Sequence, residues 1–254
     1  MSSWPDLREE LDRWQAAGQT ADFWWRDDDA GEIAPAFERL LEIAGRTRTP
    51  LAVAVIPATA TRALARRLLD SPATAVLQHG FAHRNHAPAG EKKAELGAHR
   101  PLEAILEELS QGRERLADLF AGAPVHTLVP PWNRISEQVT AALPTLGLSG
   151  LSTFAPRASG QPVPGLCQVN AHADLIDWKG SRGFAGEAQV LGQIVGHLAD
   201  RRQGRADPGE PTGLLTHHLD HDAACWTFLE AFLEETRSHS ACRWRAAAEI
   251  FPAS

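Results

Sequence analysis

Phe23-Trp24-Trp25-Arg26-Asp27-Asp28-Asp29-Ala30 is an apolar stretch that runs directly into three consecutive carboxylates. The apolar half reads as a buried strand, and the acidic half as its end. Adjacent ionised Asp side chains repel one another, and a strand end gains no packing from them. A divalent cation would remove the repulsion, and a raised pKa on one Asp would make it a useful base. An acidic turn exposed to water is the plainer reading of the triplet alone. The rest of the chain decides between the two.

Working outward, Leu51-Ala52-Val53-Ala54-Val55-Ile56 is continuously apolar and is ended by Pro57. Continuous rather than alternating apolarity marks a strand covered on both faces, as in parallel sheets. Ala75-Val76-Leu77, Val125 to Val129, Leu151 to Phe154, Leu166 to Asn170 and Gly213 to Thr216 are the further strand candidates. Between them lie amphipathic runs: a first helix capped by Ser3, one from Pro35 with Phe37, Leu40, Leu41 and Ala44 at helical spacing, and a long one opened by Pro101. Others are capped by Ser136, which Gly147 ends, and by Asp222, with a further helix around Glu187 to Arg201. Strand and helix alternate about seven times, which implies a parallel sheet with right-handed crossovers, an open doubly wound sheet or a barrel.

The chain has 254 residues, 43% hydrophobic and 22% charged, the composition of one large globular α/β domain over 1–254. A formal net charge of −7 argues against nucleic acid or an anionic membrane as partner. No run is long enough for a transmembrane helix, and the N-terminus lacks a basic segment followed by an apolar core. Cys167, Cys225 and Cys242 have no metal-type spacing and read as reduced thiols of a cytoplasmic protein.

Polar clusters follow several strands: Asp27 to Asp29, His79 to His86, Pro130 to Arg134, Asn170 to Asp177 and His217 to Asp222. Parallel α/β folds build their sites from the loops at the C-terminal ends of strands. The polar stretch Gly80 to Arg100 is long for a connection and so expected to be functional. His79 and His83 stand four apart, and on a helical turn they would share a face and grip one ion. Two His and a carboxylate leave coordination positions open for water, as catalytic metal sites require. A His after the last buried strand, in His217-His218-Leu219-Asp220-His221-Asp222, is placed to donate a proton to a leaving group.

Taken together these stretches resemble the polysaccharide deacetylases of the NodB-homology type, and more closely an intracellular-looking branch of them. The resemblance spans Phe23 to Asp222, with five motifs in the family's order. Asp28-Asp29-Ala30 matches the first, an Asp pair and a small residue, with Asp27-Asp28 the alternative register. His79 to His83 matches the second and Val129-Pro130-Pro131-Trp132-Asn133 part of the third. Asp174-Leu175-Ile176-Asp177-Trp178 matches the fourth, and Leu215-Thr216-His217 the fifth. The family's fold is a distorted (β/α)7 barrel. Two positions depart from the pattern: the third-motif Arg, which in the family steadies the base, is Val129 here, and the motif's Gly is Asn133.

The resemblance implies a metal-dependent hydrolase that removes an N-acyl group, N-acetyl foremost, from an amino sugar or glycan precursor. Asp29, His79 and His83 would hold one divalent ion, Zn2+ or similar. Asp28 would be the general base, the Trp132 backbone N–H would face the oxyanion, His217 would be the general acid and Asp174 would orient it. The substrate would be a small molecule or oligosaccharide, with His86, Glu95 and Trp132 as further contacts. A non-sugar amide hydrolase and a catalytically inactive carbohydrate-binding relative are the alternatives. With Val129 in place of the Arg, a guanidinium from Arg26 or Arg134 is expected at Asp28. Arg26 shares a strand face with Asp28; Arg134, from the third-motif loop, is favoured.

Overall fold

The computed structural model describes residues 2–251. Its elements in chain order are α1 (Trp4–Ala16), β1 (Ala21–Ala30), α2 (Pro35–Thr47), β2 (Leu51–Val55), α3 (Arg62–Leu69), β3 (Thr74–His79), α4 (Leu102–Leu119), β4 (Thr127–Val129) and α5 (Glu137–Ala142). They continue with β5 (Gly150–Leu151), β6 (Cys167–Gln168), β7 (Ala173–Asp174), α6 (Glu187–Arg202), β8 (Thr212–Thr216), α7 (Ala223–Ser238), β9 (Cys242–Trp244) and α8 (Ala247–Ile250).

All named strand pairings are parallel, in the order β6-β5-β4-β3-β2-β1-β8-β7, with β9 beside the start of β1. The run from Cys167 to Asp174 pairs first with β5 and ends paired with β8, at Ala173↔Leu214 and Asp174↔Leu215. One segment therefore bridges both edges of the curled sheet, giving the distorted (β/α)7 barrel. The expected strands Leu151 to Phe154 and Leu166 to Asn170 are shorter and broken, continuing as a single bridge between Phe154 and Ala171. A segment that leaves one neighbour for another cannot keep a regular ladder with either.

The alternation of side chains along β1 organises the core. Trp24 packs with Ala52, Ala54, Leu77, Val129 and Val169, filling the inside of the curl. Small Ala side chains on β2 leave room for the indole, as the taper of a small barrel requires. Phe23 and Trp25 face outward into the larger cluster under the helices. There α2 lays down Phe37, Leu40, Leu41 and Ala44, and each large apolar side chain removed from water contributes roughly 1.5–3 kcal/mol. Gly213 is needed where Trp24 crosses β8: a Cβ there would lie 2.5 Å from the indole nitrogen, which donates to the Asn170 carbonyl at 2.9 Å.

The helix starts follow the expected caps. On α1 the Asp6 carboxylate accepts the Ser3 backbone N–H and hydroxyl, each at 2.7 Å, and Ser136 and Asp222 accept N–H bonds from Val139 and Cys225. The helix opened by Ser136 is shorter than expected. It tightens at Leu143 into a 3-10 turn containing Pro144 before Gly147, at φ 71°, ends it. No helix among the described residues is long and apolar enough to cross a membrane.

Candidate active site

The acidic end of β1 is not a regular strand. Register with β2 shifts between Asp27 and Ala30, and Asp29 has φ 70°. In an unbroken strand Asp28 and Asp29 would point to opposite faces; the irregularity lets both line one cavity of about 1010 Å³. Asp27 points the other way, under the helices, fully buried. It accepts hydrogen bonds from the Thr216 hydroxyl at 2.6 Å and the His218 N–H at 3.1 Å, and pairs closely with the His218 imidazole. The register is thus Asp28-Asp29 at the cavity. Asp27 instead fixes the residues on either side of His217.

His79 ends β3, and His83 lies in the loop after it, not on a helical turn as the spacing suggested. Gly80 at φ 52° and His83 at φ 53° wind the chain back so that both rings reach Asp29. A Cβ on Gly80 would collide with Glu95 and Pro131. Glu95, expected as a substrate contact, lies 1% exposed beneath this loop and accepts N–H bonds from Phe81, Ala82 and Arg84 at 3.0, 2.8 and 3.2 Å. Its carboxylate builds the loop that carries His83. His86 lies outside the cavity lining.

His79 Nε2 and His83 Nε2 lie 3.0 and 3.2 Å from Asp29 Oδ1. His79 Nδ1 is 2.9 Å from the Val129 carbonyl, which can only accept, so Nδ1 carries a proton. In the neutral ring the Nε2 lone pair then faces a carboxylate oxygen. Either a second proton or a cation must lie between them. Without a metal ion, burial disfavours charge on His79 but Asp29 and Asp28 outweigh it and raise its pKa. Burial dominates at His83 and lowers its pKa. Burial would raise the Asp29 pKa, but the hydrogen bond and charge of His79, with His217 and His83, hold it well below the usual carboxylate range. A carboxylate oxygen and two imidazole nitrogens, mutually within 4.8 Å and open to a cavity, fit a catalytic divalent cation.

Beside them, Asp28 is held by Arg26, which is fully buried. Arg26 Nε lies 2.8 Å from Oδ1, and Nη2 donates to Oδ2 at 3.0 Å. The guanidinium is itself fixed by Ser152 Oγ at 2.6 Å, Asn133 Oδ1 at 2.7 Å and the Thr153 carbonyl. Arg134, the favoured expectation, instead donates to the Lys93 carbonyl at 2.7 Å. The reason is the alternation of β1: Trp24, Arg26 and Asp28 share the inner face, and Val129, packed against Trp24, leaves the inner space that Arg26 fills. Asn133 and Trp132 both sit at φ 56°, a backbone region that Asn tolerates better than most residues.

Across the cavity, His217 follows β8 with its Nδ1 3.7 Å from Asp174 Oδ1. Asp174 accepts from the Trp178 indole N–H at 2.7 Å and the Ile176 N–H at 3.0 Å, and burial raises its pKa. Trp178 packs edge-on against His217 at 4.7 Å between centroids, and Trp132 lies against His83 at 4.4 Å. The residues expected to hold the metal or carry the chemistry, Asp28, Asp29, His79, His83, Trp132, Asp174 and His217, line the same cavity. Sequence reading missed the roles of Ser152 and Asn133 in holding Arg26, and of Glu95 under the loop. No local pattern encodes those contacts.

A second set of two His and a carboxylate, His172, His197 and Glu210, also converges, fully buried away from the cavity. There the Gly213 backbone N–H donates to His172 Nδ1 at 2.9 Å, so the ring proton sits on Nε2, 3.4 Å from Glu210 Oε2. That nitrogen has no lone pair to offer an ion.

No family model matches the chain, and no curated protein matches it. Solved structures do. A peptidoglycan N-acetylglucosamine deacetylase in complex with a naphthalenyl N-hydroxybenzamide superposes with TM-score 0.58 at 16% identity, over 92% of this chain and 90% of that one. A family 4 carbohydrate esterase from Streptomyces lividans in complex with acetate gives 0.56 at 13% identity, over 88% and 90%. A family 4 acetyl xylan esterase from Clostridium thermocellum in complex with a cobalt ion gives 0.54 at 13%, over 91% and 90%. Pseudoenzymes of the same family share the architecture too. The chain therefore has the fold of the family 4 polysaccharide deacetylases and carbohydrate esterases.

Proposed function

We propose that the protein is a divalent-metal-dependent hydrolase that removes an N-acyl group, N-acetyl foremost, from a soluble amino sugar or glycan precursor in the cytoplasm. The observation that carries this reading is the juxtaposition of the Asp29, His79 and His83 donors with the Arg26-locked carboxylate of Asp28 in one cavity. The fold shared with an N-acetylglucosamine deacetylase supports it.

Asp29, His79 and His83 would hold a divalent ion, Zn2+ foremost, which would supply Lewis-acid polarisation of the amide carbonyl and of the attacking water. Asp28 accepts the proton of that water, its two oxygens oriented by the Arg26 fork. The Trp132 backbone N–H is the donor assigned to the developing oxyanion. His217 protonates the leaving amine, with the Asp174 carboxylate orienting the ring. Trp132 and Trp178 flank the centre on the His83 and His217 sides.

An inactive binding relative was suggested by Val129. Arg26 weakens that alternative, because a guanidinium does reach Asp28 by another route. The test is amine release from neutral and anionic N-acetyl amino sugars, their oligomers and simple non-sugar acetamides, with the protein reconstituted in Zn2+ or Co2+. Release from the sugars supports the reading. Release only from non-sugar amides moves it to the alternative substrate class, and none from either overturns it.

A further inference from the structure

The chain carries a formal charge of −7, yet its cavity is rimmed by Lys93, Arg134, Lys179 and Arg182. Lysine is scarce here: Lys92, Lys93 and Lys179 are the only ones, and two of the three line this cavity. The cavity also contains five carboxylates, of which all but Asp220 are engaged in close pairs or hydrogen bonds. Asp28 pairs with Arg26, and Asp29 lies against His79 and His83. Asp174 accepts from Trp178 and Ile176. Asp177 accepts N–H bonds from Lys179, Gly180 and Ser181, closing its own loop. The cations are less committed. Among the described residues neither lysine has a carboxylate within 4.0 Å, Arg134 has only the Lys93 carbonyl, and Arg182 reaches Asp220 at 3.7 Å.

The cations also stand in two groups. Lys93 lies 5.9 Å from the Trp132 ring centroid and is tied through its carbonyl to Arg134, on the His83 side. Arg182 lies 5.3 Å from the Trp178 centroid, in the same short loop as Lys179, on the His217 side. Each group thus pairs an aromatic face with cations beside the reacting centre. The cations suit a negative group carried by the substrate. A cavity of about 1010 Å³ exceeds what a single neutral monosaccharide fills.

Resting on the N-deacylase reading above, we infer that the substrate is anionic: an N-acyl amino sugar bearing a phosphate or a carboxylate, its negative group held by Lys179 and Arg182 on the leaving-amine side. His217 is assigned to the amine half, so the cations beside it meet that half of the substrate. Lys93 and Arg134 add to the field that draws the anion in, an effect that falls with salt.

The test has a binding arm and a kinetic arm. Calorimetry on the purified Asp28→Asn protein compares N-acetylglucosamine, N-acetylglucosamine 1-phosphate and N-acetylmuramic acid at low and high salt. At least one anionic ligand is expected to bind about tenfold tighter than the neutral sugar, with the advantage shrinking in salt. The phosphate and carboxylate ligands distinguish the two anion types. In the active protein, Lys179→Ala/Arg182→Ala lowers the anionic-to-neutral ratio of kcat/KM about tenfold, whereas Lys92→Ala, outside the cavity, leaves it unchanged. Equal binding of all three ligands, or of none, overturns the anion assignment even if the neutral sugar is hydrolysed. A clear anion preference in binding without hydrolysis of any ligand leaves it standing and overturns the deacylase reading instead.

Discussion

The molecule contains two His-His-carboxylate groups that resemble each other in composition and differ in everything that decides chemistry. At the cavity, His79 gives its Nδ1 proton to a carbonyl, so Nε2 points a lone pair at Asp29. In the buried group, a backbone N–H occupies His172 Nδ1, so Nε2 carries the proton toward Glu210. His172 and His197 stack with centroids 3.5 Å apart. Burial lowers both pKa values, that of His197 to about 2 with the charges of His172 and Arg201 adding to it. Glu210 is tied down by the N–H groups of Asn170 and Arg157. The comparison teaches that the partner of the other ring nitrogen, not the count of nearby donors, separates a metal site from a structural cluster.

The largest expected difference between the groups lies in metal content. His79→Ala should lose the bound ion and all hydrolytic activity. His197→Leu should keep both, as read by elemental analysis and amine release. Metal lost only in the His197 variant would invert the assignment.

Within the cavity group, Asp28→Asn and His217→Ala should each retain the ion and the fold while losing on the order of a hundredfold or more in kcat. Unaltered kcat in either variant would move that role to a neighbour, for His217 most simply to Asp174. Arg26→Met should act on stability as well as rate. It leaves a buried carboxylate without its cation, a loss of about 3–5 kcal/mol in chemical denaturation. A variant as stable as the parent would mean that the Arg26–Asp28 pair does not hold Asp28.

The smallest effect belongs to the buried group and appears as pH dependence. An unfolded His197 titrates near the ordinary histidine value, while the folded one stays neutral far below it. The unfolded chain therefore binds the extra proton. The His197 contribution is fully present above about pH 6.5 and is lost as pH falls, by roughly 2 kcal/mol at pH 5. His197→Leu should flatten that part of the stability curve, whatever it does to the plateau. A curve of unaltered slope would show that His197 is not held neutral.

Much of this arrangement was legible in the sequence because it is periodic or positional. The alternation of apolar strands and amphipathic helices gave a parallel sheet, open or closed, the family resemblance implied the barrel, and polar residues after strand ends gave the cavity. Period-two reading of β1 put Arg26 beside Asp28, although the third-motif loop drew the expectation toward Arg134. What was not legible depends on departures from regularity. The bulge and positive φ at Asp29 aim neighbouring carboxylates into one cavity, and the left-handed turns at Gly80 and His83 replace the expected helical turn. The segment Cys167 to Asp174 changes partners midway, and no local pattern announces that.

The most direct test is an anomalous-scattering map of crystals grown with Zn2+ or Co2+. One peak bounded by Asp29, His79 and His83, with none at His172, His197 and Glu210, is the predicted result. A peak at the buried group, or none at the cavity, would contradict the account.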